Sequence, residues 1–320
     1  MNNLKFYCLS DKTGAILENP LKALPSKWKA WNSIIDQLPE LSRNRTVRNE
    51  VDLLPLLDLD GLNSHEELRL AHKILAFLSS VYVWQDGEGG ETESIPVQIA
   101  KPLLCVSKLL GIQPILTHTD LVLCNCIPST STKEENYLSF LQSIHLPTYH
   151  PSWKAFITLS GECEVYFAPI LQEIIKAIKA QDPLNEDIII KCLENIDELF
   201  IPFRKSLKNF YEDEEFFKEM QTYMITEHRQ FLDDLAMYSR IRSIAVESKS
   251  TNLKSNYNQC LQSLWNFRNS HISLVNKFII EPSKKTEAKI KQLEITGTSG
   301  QCLNVFLQRV RDASSSAILK

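Results

Sequence analysis

The stretch "RNSHISLVNKFI", Arg268–Ile279, decides the fold class of this 320-residue chain. From Tyr257 to Ile280, apolar residues recur every three or four positions, which is the period of an amphipathic helix. The apolar stripe contains Leu261, Leu264, Phe267, His271, Leu274, Val275 and Phe278. A long helix is therefore predicted here, with one histidine in its apolar face.

Three further segments have the same helical period, and the chain contains only nine glycines. These segments are Glu66–Trp84, Glu214–Leu235 and Gln301–Ala313. No alternating pattern typical of strands competes with them. The sequence thus predicts an all-α protein.

The polar stretch "PSTSTKEEN", Pro128–Asn136, is the best predicted domain boundary. It separates a proline-richer half with shorter helices from a half with long helices. We expect a small N-terminal helical domain over residues 1–128 and a large helical domain over residues 129–320.

Composition narrows the class of protein. A net charge of −4 argues against a nucleic-acid-binding surface. No apolar run is long enough to span a bilayer, and "MNNLKFYCLSDKTG" lacks the apolar core of a secretory signal. The eight cysteines do not have zinc-site spacing and are expected to be free thiols. A cytoplasmic protein without membrane or nucleic-acid partners is expected.

Four features suggest ligand chemistry, and each has an ordinary structural alternative. His271 is either a hydrogen-bonded core histidine or an imidazole that binds a metal such as heme iron. "GTSG", Gly297–Gly300, precedes a predicted helix and suits either an anionic group or a simple N-cap. Arg204, in "LFIPFRKSL", and His228, in "YMITEHRQFL", either face solvent or contact a ligand.

Taken in order, several blocks resemble the indoleamine/tryptophan 2,3-dioxygenase family of heme enzymes, its indoleamine branch most closely. The C-terminal blocks are "YNQCLQSLWNFRNSHISLVNKFIIEP", "TGTSG" and "NVFLQRVRD". The N-terminal blocks include "LPELSRNRTVRNEVDLLPLL", "IPVQIAKPLLCVSKLLGIQPIL" and "LVLCN". The resemblance covers most of the chain.

This resemblance implies a large helical domain that binds heme b. By position, His271 would be the proximal iron ligand. The residues implied around the heme are Arg268, Gly297, Thr298, Gly300, Tyr166 and Phe167. Those implied at the substrate are Arg204, which would receive a carboxylate, together with Thr298, Phe200 and His118.

The sequence also departs from the family pattern on the substrate side of the heme. The family's distal serine falls on Pro169 or Leu171, and its distal tyrosine and tryptophan are matched by His118 and Cys126. A Gly- and Ser-rich family segment is missing between "KNFYE" and "DEEFF", near residue 212.

The function implied by the resemblance is opening of the indole ring of L-tryptophan, or a related indole, by O2. The product would be N-formylkynurenine, as in the kynurenine pathway, and the protein would be a monomer. One alternative is a divergent heme protein that binds O2 or another small ligand without this chemistry. Another is a heme-free helical protein that acts through interactions.

Overall fold

The computed structural model describes residues 9–10, 12–87, 90–128, 141–149, 151–207, 240–277, 281 and 303–319. Nearly all regular structure in these ranges is α-helical, which confirms the predicted all-α class. The helices are α1 (Lys29–Asn44), α2 (Val47–Asp52), α3 (His65–Trp84), α4 (Val97–Leu110), α5 (Pro151–Lys179), α6 (Glu186–Ser206), α7 (Arg240–Glu247), α8 (Thr251–Val275) and α9 (Leu303–Ser316). Two short strands, β1 (Cys126–Pro128) and β2 (Leu141–Ser143), pair antiparallel, with Ile127 opposite Gln142.

The chain forms two compact units. The N-terminal unit contains the described residues of Ile16–Glu162, and the C-terminal unit contains those of Met1–Ala15, Cys163–Glu214 and His228–Lys320. The division falls within α5. The predicted domain boundary at residues 128 and 129 stays a prediction.

In the N-terminal unit, α3 is the central helix and packs against α1, α2 and α4. Its start follows from a capping box, in which Ser64 Oγ accepts from Glu67 N and the Glu67 carboxylate accepts from Ser64 N. Ten of its residues are buried. The helix predicted from Glu66 to Trp84 is thereby confirmed.

In the C-terminal unit, α8 packs against both α6 and α9. The helix begins at Thr251, six residues before the predicted start, because Ser250 Oγ accepts from Leu253 N and caps it. The predicted final helix is confirmed as α9, whereas the predicted helix Glu214–Leu235 lies outside the described residues.

Within the ranges that the structure describes, no helix is long and apolar enough to cross a membrane.

Candidate heme site

His271 lies near the C-terminal end of α8 and is half-buried. It follows Phe267 by one helical turn, so both residues lie on the same face of the helix. Leu264, one turn further back, is buried in an apolar cluster. Leu264, Phe267 and His271 therefore lie along one face of α8, as the apolar stripe predicted.

Four phenylalanines form an aromatic cluster beside this stripe: Phe167 of α5, Phe200 and Phe203 of α6, and Phe267 of α8. The rings of Phe203 and Phe267 are stacked, with centroids 4.3 Å apart. Phe167 lies 5.5 Å from Phe203, and Phe200 lies 6.5 Å from Phe267. Aliphatic side chains complete the cluster: Ile170, Leu171, Ile196 and Leu264.

The structure brings together several residues that the sequence assigned to heme or substrate. Tyr166 packs against the aromatic cluster, while Phe167 and Phe200 belong to it. Arg204 lies one turn beyond Phe200 on α6 and is exposed. Among the described residues, no hydrogen bond or ion pair holds its guanidinium.

A polar contact sets the register of α6 against α8. The carboxylate of Asp197 on α6 accepts from Gln259 Nε2 at 2.6 Å and from Ser263 Oγ, both on α8. Asp197 lies one turn before Phe200, and Ser263 lies one turn before Phe267. The hydrogen bonds and the ring contacts therefore fix the same pairing of helices.

Arg268 occupies the buried side of α8 that faces α9. Only 8% of its surface is exposed, and its Nη1 donates to the carbonyl O of Val310 at 2.7 Å and to Ser314 Oγ. Because a buried cation needs hydrogen bonds in place of water, these contacts stabilise the packing of α8 against α9.

These residues fit a heme in kind. A heme needs an axial ligand such as one imidazole and an apolar surrounding, and His271 beside the aromatic cluster supplies both. The rings of Phe203 and Phe267 touch, so a porphyrin cannot lie between them in this conformation. Within the described residues, no three His, Cys, Asp or Glu side chains are grouped to hold a metal ion by themselves.

Other predicted site residues lie outside the described residues or belong to the N-terminal unit. Gly297, Thr298, Gly300 and His228 lie outside the described residues, and the roles predicted for them stay predictions. His118 belongs to the N-terminal unit, where it is half-buried and directly precedes a π-helical turn, Thr119–Leu123.

A buried polar network in the N-terminal unit was not predicted from the sequence. His72 Nδ1 lies 2.8 Å from the Asp120 carboxylate, whose other oxygen accepts from the backbone N and the hydroxyl of Thr117. Next to His72, the Lys73 amine donates to Cys124 O at 3.0 Å. The available signal was two adjacent polar residues inside the otherwise apolar run 70–78 of α3.

Burial shifts the pKa of two basic groups in this unit. Burial lowers the pKa of Lys73 to about 8, although Cys124, Asp120 and Cys126 act in the opposite direction. Burial also lowers the pKa of His145 to about 3, and the charge of Lys73 contributes. His145 is therefore neutral at physiological pH.

The fold and the site together define a class: an α-helical protein in which one long helix presents a single imidazole beside aromatic side chains. Comparison with known proteins identifies the family. A model of the indoleamine 2,3-dioxygenase family matches residues 3–215 and 204–317. The chain belongs to this family, whose members are heme enzymes.

Several curated relatives span almost the whole chain. Indoleamine 2,3-dioxygenase 2 of Homo sapiens is 26% identical, with 99% of this chain and 96% of the relative covered. The Mus musculus protein of the same name is 28% identical, with 98% and 95% covered. A protein named myoglobin from Haliotis diversicolor is also 28% identical, with 97% of each chain covered.

The comparisons also bear on the shortened region. The family model matches in two parts that overlap at residues 204–215. This is where the sequence predicts that a family segment is missing. The alignment with the human relative runs over 392 positions although this chain has 320 residues, so that relative contains residues without a counterpart here.

Proposed function

We propose that this protein is a heme-dependent dioxygenase that opens the indole ring of L-tryptophan, or of a related indole, with O2 to give N-formylkynurenine. Family membership over nearly the whole chain supports heme dioxygenase chemistry. The observation that carries the proposal is the packing of α6, with Phe200 and Arg204, against α8, with His271.

In this proposal the imidazole of His271 ligates the heme iron from the end of the apolar stripe. Heme, when bound, supplies the oxygen chemistry, while the protein binds and orients the substrate and excludes water. The aromatic cluster provides apolar surface for a flat indole and keeps water from the reacting face. Arg268, Tyr166 and Phe167 contribute to the surroundings of the heme.

Arg204 is the proposed partner of the substrate carboxylate. A guanidinium pairs with a carboxylate through two parallel hydrogen bonds, which fix the orientation of the carboxylate and balance its charge. Its exposure and its position one turn beyond Phe200 on α6 support this role. Thr298 is proposed as a further substrate contact, and Gly297 and Gly300 as part of the segment near a heme propionate. The role that the resemblance implies for His118 stays a prediction.

A second candidate function is O2 binding by heme without ring opening. The relative from Haliotis diversicolor that is named myoglobin favours it, as does the shortened region at residues 204–215. Both candidates need His271, and they differ in whether an indole is consumed. A monomeric state and a cytoplasmic location are proposed for either one.

Heme binding is tested by titrating hemin into wild type, His271→Ala and His65→Ala and recording the Soret band. His65 is exposed on α3 and serves as the matched control. We expect His271→Ala alone to lose the Soret band of a histidine-ligated heme. Equal uptake and equal spectra in all three proteins would contradict the assignment of His271.

Turnover is tested with L-tryptophan, a reductant and O2, by following the near-ultraviolet absorbance of N-formylkynurenine. Arg204→Ala should raise KM about tenfold or more, because a charge-assisted hydrogen bond contributes about 1.5–3 kcal/mol. Lys205→Ala, its exposed neighbour, should behave as wild type. Heme binding without any product would reject ring opening and favour the second candidate.

A further inference from the structure

Arg268, which makes a buried contact with α9, lies three residues before His271 on α8. Nη1 of Arg268 reaches the carbonyl O of Val310 at 2.7 Å and the hydroxyl of Ser314. These two acceptors are four residues apart, so one guanidinium binds one complete turn of α9. Ser314 is itself buried, with 3% of its surface exposed.

A second contact joins α8 to the end of the chain. Asn258 Nδ2 donates to Leu319 O at 3.0 Å, and Leu319 N donates to Asn258 Oδ1 at 2.8 Å. Asn258 and Arg268 are separated by about 15 Å along the helix at 1.5 Å per residue. The Asn258 contact therefore holds the first half of α8, and the Arg268 contact holds the half that carries His271.

The Arg268 contact determines how the last turns of α8 are rotated about the helix axis. Successive residues of an α-helix are about 100° apart, so Arg268 and His271 point in directions that differ by about 60°. Fixing the direction of Arg268 against α9 consequently fixes the direction in which the imidazole leaves the helix.

We propose that Arg268 and Ser314 are positioning residues for His271, with α9 setting the orientation of the imidazole through the hydroxyl of Ser314 and the carbonyl of Val310. This inference rests on the proposed function, in which His271 ligates heme iron. It assigns a role in the heme site to Ser314, a residue of α9 that no motif in the sequence indicated.

The experiment compares Ser314→Ala with Ser315→Ala, since Ser315 is the exposed neighbour on the same helix. Two quantities are measured on the heme-loaded proteins: the rate of heme transfer to an excess of apomyoglobin, and the iron–histidine stretching band in the resonance Raman spectrum. Ser314→Ala should lose heme about tenfold faster, the low end of the 10- to 100-fold effect typical of residues that orient a metal ligand. Its stretching band should shift or broaden, while Ser315→Ala matches wild type.

Arg268→Lys should have a similar effect, because the lysine side chain ends one bond short of the position of Arg268 Nη1, the atom that donates to both acceptors. If both residues act as one unit, the double variant should lose heme no faster than Arg268→Lys alone.

Two results would overturn the inference while leaving heme ligation intact. One is a Ser314→Ala protein with wild-type heme transfer and stretching band. The other is a lower melting temperature with an unchanged band, which would make Ser314 a packing residue only. A His271→Ala protein that binds heme as wild type does would instead reject the proposed function, and this inference with it.

Discussion

Lys73 offers a quantitative test of the buried network. Its side chain has no exposed surface, and its Nζ lies 3.0 Å from Cys124 O and 3.5 Å from Asn125 Oδ1. Burial lowers the pKa of this amine from 10.5 to about 8. Since one pKa unit corresponds to about 1.36 kcal/mol, keeping Lys73 charged costs the folded state about 3 kcal/mol.

The sign of the pH dependence follows from proton linkage. Below pH 8 the amine is protonated in both the folded and the unfolded state, so the full cost is present. Between pH 8 and 10.5 the folded state releases the proton while the unfolded state retains it, and the free energy of unfolding rises. For pKa values of about 8 and 10.5, this contribution grows by about 1 kcal/mol between pH 7 and pH 9.

The assay is denaturant unfolding of wild type, Lys73→Met and Lys101→Met at pH 7, 8 and 9. Lys101 is exposed on α4 and controls for the loss of a positive charge. We expect the difference in free energy of unfolding between wild type and Lys73→Met to shift by about 1 kcal/mol in favour of wild type from pH 7 to pH 9. A difference that stays constant over this range would refute the reasoning.

Three further predictions concern the same unit. Asp120→Asn should lower the free energy of unfolding by about 3 kcal/mol, because it breaks a buried pair with His72; urea denaturation measures this loss. Because burial lowers the pKa of His145 to about 3, the unfolded state binds a proton that the folded state excludes below pH 6.5. Relative to His145→Gln, the free energy of unfolding of wild type should therefore fall by about 2 kcal/mol between pH 7 and pH 5. Chemical denaturation at both pH values measures this change. Ser64→Ala should cost about 1 kcal/mol through loss of the capping box, seen as a lower melting temperature, and an unchanged value would contradict the cap.

Helix α3 shows how much of the fold was predictable. Its apolar period predicted a helix over Glu66–Trp84, and a local capping box sets its start at His65. Local signals of this kind depend on residues a few positions apart, so the sequence alone contains them. The partners of His72 and Lys73 come from a segment about fifty residues away, and no periodicity indicates them.

The candidate site likewise has a part that local motifs predicted and a part that they did not. The resemblance selected His271, Phe200 and Arg204 from their local motifs, and family membership is now established. Their roles in heme and substrate binding stay predictions. The contact between Phe203 and Phe267, and the contact between Arg268 and Ser314, join distant parts of the chain and were not predicted.

The sequence by itself determined the helical class, the segments that form α3, α8 and α9, and the family, because each depends on the local order of side chains. The tertiary structure alone decided which helix faces which. It stacked the ring of Phe203 on α6 against the ring of Phe267 on α8, and it directed the guanidinium of Arg268 at α9. The physical reason is that burial of apolar rings and of a charged group is optimised over the whole packed unit, whereas the apolar pattern of each helix specifies only that one face must be covered.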